Sequence, residues 1–149
     1  MGYYMRFIVT DERDVSLSVL ESALKQIDPA YLIDRDEEGD SEGLLKWRDG
    51  VYGQIEVNRP GDGLFDGEIA ELKEFVENSE GTKKSEVLNV LGQARAIVAI
   101  RVVYERRESE DTLVKIDPLW RWLFANRQGL MQAGGEGYYD SSGLILAIA

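Results

Sequence analysis

Between Ala96 and Tyr104 apolar residues fill eight of nine positions, with Arg101 the single break. A strand covered on both faces reads as a continuous apolar run, so this stretch predicts the central strand of a sheet over 96–105. Ala96, Val98, Ile100, Val102 and Tyr104 would share one face, with Ile97, Ala99 and Val103 on the other. Upstream, Tyr3 to Thr10 alternates: Met5, Phe7 and Val9 against Tyr4, Arg6 and Ile8, a second strand. Val15, Leu17, Val19, Leu20, Leu24 and Ile27 then recur at helical spacing and stop at Asp28-Pro29, because a residue preceding proline leaves the helical region. Tyr31 to Ile33 begins a short strand that runs into an acidic loop.

Leu44 to Val57 reads as a hairpin closed by Asp49-Gly50, a strong two-residue turn signal. That turn sets Trp47 opposite Tyr52 and Leu44 opposite Ile55. The core face would carry Leu44, Val51, Ile55 and Val57, and the other face Leu45, Trp47 and Tyr52. After the Asn58–Gly63 break, a helix over 64–78 has Phe65, Ile69, Leu72, Phe75 and Val76 as its apolar stripe. Ser85 is placed to cap a second helix containing Val87, Leu88, Val90 and Leu91. The stretch 111–127 is helical with an interruption, since Asp117-Pro118 matches a helix start. Leu130 to Ala133, Tyr138-Tyr139 and Leu144 to Ile148 make a terminal strand pair. Together these elements predict one α+β domain over 1–149, with a mainly antiparallel sheet of five to six strands and helices mostly on one face. A β-α-β-β-α-β core of ferredoxin-like kind is one arrangement compatible with them.

Composition removes whole classes of chemistry. The 149 residues include neither cysteine nor histidine. Disulfides, thiolate metal sites, a cysteine nucleophile and the commonest general base are therefore excluded, and only hard oxygen donors remain for a metal. The serines have no histidine to activate them. No cofactor motif is present. No apolar run reaches membrane length, and the chain is expected to be cytoplasmic.

Charge adds a location. Of 28 acidic and 17 basic side chains, residues 34–42 hold six acids and one base, and residues 62–80 hold seven acids and one base. The remainder of the chain is balanced, so these two segments carry the whole net charge of −11. Phosphate backbones need local positive charge, which argues against nucleic acid and for a basic protein partner.

The acidic loop begins like a calcium loop at Asp34, Asp36, Glu38 and Asp40. Its twelfth position, which must supply a bidentate carboxylate, is Leu45. Gly61, Gly63 and Gly67 lack both the dinucleotide spacing and a phosphate-binding lysine, and Asp62, Asp66 and Glu68 would repel an anion there. The best binding candidates are the acids Asp36, Glu37, Glu38, Asp40, Glu74 and Glu77, with Trp47 and Trp122 as aromatic anchors. Trp122 projects about 200° away from Trp120 on a helix, so the two cannot share a buried face. Glu136 and Asp140, in a glycine-rich turn, are the paired carboxylates of an alternative reading as a small hydrolase or ligand-binding protein; Asp62 is a further acid for it.

The run DPLWRWLFANRQGLMQAGGEGYYDSSGLIL, residues 117–146, resembles the C-terminal part of small acidic proteins among the bacterial polymorphic-toxin immunity proteins. The resemblance contains no catalytic motif and transfers no site residue. It implies a non-catalytic chain that binds one cognate protein.

Overall fold

The computed structural model describes residues 3–35 and 41–148. Its strands are β1 (Tyr4–Val9), β2 (Tyr31–Arg35), β3 (Glu42–Trp47), β4 (Gly50–Asn58), β5 (Ala96–Val102), β6 (Gly129–Ala133), β7 (Gly137–Asp140) and β8 (Gly143–Ala147). Its helices are α1 (Leu17–Ile27), α2 (Phe65–Glu77), α3 (Lys84–Gly92) and α4 (Ser109–Asn126). The strands form one sheet in the order β2-β3-β4-β5-β1-β6-β7-β8, and every neighbouring pair is antiparallel. Eight strands replace the five or six expected, because Tyr31–Arg35 pairs fully and the C-terminal segment makes three strands rather than two. A ferredoxin-like core would place β1 parallel to a neighbour; here both of its neighbours are antiparallel.

β5 and β1 lie at the centre, with Phe7 opposite Val98 and Met5 opposite Ile100. Their alternation separates two cores. Met5, Phe7, Val9, Ala96, Val98, Ile100 and Val102 pack with Leu17, Leu20 and Leu24 of α1 and with Ile116, Leu119, Trp120 and Leu123 of α4. Ile8, Ile97 and Ala99 point the other way, into Phe65, Ile69, Leu72 and Val76 of α2 and Val87 and Leu91 of α3. The helices thus divide two and two between the faces instead of gathering mostly on one. A sheet covered on both sides is what a continuous apolar β5 requires.

Local signals explain most element ends. Ser16 accepts from the Val19 N–H through its Oγ at 3.3 Å, satisfying one of the orphan donors at the start of α1. Asp62 does the same for α2, accepting from the Leu64 and Phe65 N–H groups at 2.8 Å. α3 begins at Lys84 after Lys83 with no side-chain cap, so Ser85 lies inside the helix rather than before it. α4 runs unbroken through Pro118. The missing proline N–H deprives the Val114 carbonyl of its helical donor, and Val114 lies on the exposed side where water can replace it. Phe75 is not in the α2 stripe: it is 55% exposed, whereas Val76 is fully buried.

The hairpin is correct in outline and inverted in part. Trp47 faces Gly50 rather than Tyr52, Leu45 faces Gly53, and Lys46 faces Val51, leaving Tyr52 as an extra residue in β4. This bulge shifts the parity of the strand. Tyr52, Ile55 and Val57 consequently all reach the first core, along with Leu45, while Leu44 turns to the opposite face. Gly53 is required there, because an added Cβ would sit 2.6 Å from Ile100 Cγ2. No described helix is long and apolar enough to cross a membrane.

Candidate functional site

α2 and α3 do not cover the whole of their face. Their partners there are Ile8, Ile97, Ala99, Leu130, Tyr138 and Leu146, all on β5, β1 and the C-terminal strands. The same face of β2, β3 and β4 carries Leu32, Asp34, Glu42, Leu44, Gln54 and Glu56, none of them fully buried. Where the covered and uncovered halves meet, a groove of about 380 Å³ opens, lined by Asp34, Glu42, Leu44, Glu56, Arg101 and Tyr4 among others. Ala99 forms part of its floor; a small side chain between larger neighbours leaves the depression.

Sheet register places the groove's polar groups. Glu56 stands directly opposite Glu42 on β3 and opposite Ala99 on β5. The next row sets Gln54 opposite Arg101, which is in turn opposite Tyr4. Arg101 Nε donates to Gln54 Oε1 at 2.9 Å, and Lys46 Nζ donates to Asp34 Oδ2 at 2.9 Å. Asn58, only 3% exposed, spans two carboxylates: its amide donates to Glu68 Oε1 at 3.1 Å and to Glu56 Oε1 at 3.4 Å. Arg6 Nε donates to Glu68 Oε2 at 2.6 Å and Arg6 to Gln132 at 2.9 Å. Burial pushes the Glu56 carboxyl above its ordinary range; the Asn58 amide opposes that shift, and Glu68 and Glu42 add to it.

The residues singled out by sequence fall into separate places. Asp36, Glu37, Glu38 and Asp40 lie outside the described residues, although Asp34 and Glu42, at the ends of that loop, both line the groove. Glu74 and Glu77 are exposed on α2 and do not line it. Trp47 is half-buried against the first core. Its indole N–H donates to Asp28 at 2.9 Å, and its ring lies 3.6 Å from the Lys115 ammonium and 4.4 Å from the Arg48 guanidinium. Trp122 is likewise partly buried, with Arg127 at 4.9 Å over its ring. Trp47 thus makes a hydrogen bond and ring contacts within the fold, and Trp122 a ring contact.

Glu136 precedes β7 and Asp140 ends it, and the two make separate contacts. Glu136 accepts from the Tyr3 hydroxyl at 2.5 Å, while Asp140 closes the next turn by accepting from the Ser142 N–H at 2.8 Å. Asp62 is spent on the start of α2. Among the described residues no group of three or more acidic side chains is arranged to hold a metal ion.

Glu42, Gln54, Glu56, Ala99, Arg101 and Tyr4 were not legible as a site because they come from four strands. The one local hint is Arg101, the charged break in an otherwise apolar strand. Compared with protein-family models, curated proteins and solved structures, the chain shows no match to any.

Proposed function

We propose that this chain is a non-catalytic protein-binding module of the immunity or inhibitor type, taking a basic protein partner on the uncovered half of its sheet. The observation that carries the reading is the groove with Asp34, Glu42 and Glu56 on its walls, at the root of the most acidic loop. A sheet face left open beside covering helices is a ready docking surface. Its acid makes a positively charged partner the electrostatic complement. The exposed acids of α2, Glu74 and Glu77 among them, extend the same field.

The test is kinetic. A tagged chain recovers binding proteins from the source cell, and association with each purified candidate is then measured at two salt concentrations. Neutralising Asp34 with Glu42, the loop acids Asp36, Glu37 and Glu38, or Glu74 with Glu77 should slow association and flatten its salt dependence. Thermal stability should barely change, because exposed charges contribute little to folding. An association rate indifferent to salt and to all three sets would overturn the reading.

A further inference from the structure

Glu42 and Glu56 oppose each other across an antiparallel ladder, an arrangement that is unfavourable for like charges. Proteins usually place a cation or a neutral residue at one of the two positions. Neither carboxylate has one here. Glu42 accepts no hydrogen bond and makes no ion pair among the described residues, and residues 36–40 contain no lysine or arginine. The cation that Glu56 feels is Arg6, whose Nε is already committed to Glu68 at 2.6 Å. Lys46 is held by Asp34, and Arg101 by Gln54. The two carboxylates stand on the wall of a groove whose floor is Ala99 and whose other side carries Tyr4, 41% exposed.

We propose that this groove receives an arginine side chain of the partner protein, with the guanidinium held between Glu42 and Glu56. The assignment rests on the protein-binding reading and names the chemistry of its contact. A planar guanidinium offers several donors in a fixed fork, which suits two facing carboxylates better than a compact ammonium does. Tyr4, on β1 with the Arg6 guanidinium 5.5 Å from its ring centre, closes the opposite side of the groove. Arg101, one row along from Glu56 on the same groove, presents donors to a peptide carbonyl of the arriving segment. A divalent cation is the poorer occupant between Glu42 and Glu56, since calcium takes about six to eight oxygens and this pair supplies at most four.

The test uses the full chain and needs no identified partner. Amide ¹⁵N–¹H spectra are recorded during titration with N-acetyl-arginine methylamide, and in parallel with the lysine analogue. The arginine probe should give saturable shifts at Glu42, Leu44, Glu56 and Ala99 and bind more tightly than lysine. Glu42→Gln and Glu56→Gln should each weaken it about tenfold, a loss of ~1.4 kcal/mol, whereas Glu74→Gln should not. Neither groove variant should melt below the parent, because each removes a like-charge opposition; lost binding then cannot be ascribed to unfolding. Equal shifts from both probes, shifts scattered outside the groove, or indifference to both substitutions would overturn the assignment. If the arginine probe fails while a recovered partner still associates in a salt-dependent way, the groove assignment falls and the binding-module reading stands.

Discussion

At the scale of single residues, packing and charge make different demands on neighbouring positions. Ile100 is fully buried in the first core opposite Met5, whereas Ile27, at the end of α1, is 55% exposed. Ile100→Ala should therefore cost about 2–5 kcal/mol, the range for a large-to-small change in a packed core. Ile27→Ala should cost under about 0.5 kcal/mol. Urea denaturation measures both, and equal midpoints would contradict the two burial states. Glu56 gives a prediction of pH dependence. Its folded carboxyl is raised above its unfolded value, first by burial, so between those two values the native state binds more protons than the unfolded chain. Stability contributed at this site then falls as pH rises through that window and recovers on acidification. Asp28, held low chiefly by the Ala30 N–H and the Trp47 indole, acts in the opposite sense. The measurement is thus a difference: Glu56→Gln should gain on the parent as pH rises through and above the carboxylate range, and a constant difference would refute the assignment.

At the scale of elements, the two serines placed near helix starts separate capping from mere proximity. Ser16 accepts twice at the start of α1, its carbonyl from the Leu20 N–H and its Oγ from the Val19 N–H, so Ser16→Ala, which removes only the second bond, should lower stability by about 1 kcal/mol. Ser85 is inside α3 and caps nothing; Ser85→Ala should be neutral or slightly stabilising, as alanine is the better helix former. Thermal denaturation of the pair checks this, and equal losses would contradict the capping geometry. Much of this level was legible in sequence. The alternation in β1 and the faces of β5 follow directly from which side chains are apolar, since a strand's side chains alternate with period two. That rule failed where the period itself changed. The extra residue at Tyr52 reverses which side chains of β3 and β4 reach the core, and no composition signal marks it. Pro118 misled for the opposite reason: its local preference for a helix start was overridden by the continuous burial of Ile116, Leu119, Trp120 and Leu123. The groove was illegible because its walls join Tyr4, Asp34, Glu42, Glu56 and Arg101 only through sheet order.

At the scale of the whole molecule, the net charge of −11 works against compactness. Like charges repel most when salt is low, where the screening length is roughly 30 Å at 0.01 M against about 8 Å at 0.15 M. Raising salt across that range should raise the melting temperature of the parent chain. Neutralising Glu74 and Glu77 should reduce the increment. A melting temperature that falls with salt would show that attractive pairs such as Arg6–Glu68 and Arg35–Glu21 outweigh the repulsion.

The position of β1 between β5 and β6 also constrains how the chain is made. Residues 4–9 leave the ribosome before the rest of the sheet, and both strands that pair with them, 96–102 and 129–133, are synthesised far later. The first strand must wait while β2, β3 and β4, each paired to a neighbour close in sequence, can already assemble. Non-local pairing of this kind is slow, and unpaired apolar strand exposes the chain to aggregation meanwhile. Nascent chains arrested with β5 still inside the exit tunnel should therefore be cleaved readily by protease at Met5 to Val9. Chains arrested after β6 has emerged should resist, since only then is the centre of the sheet closed on both sides.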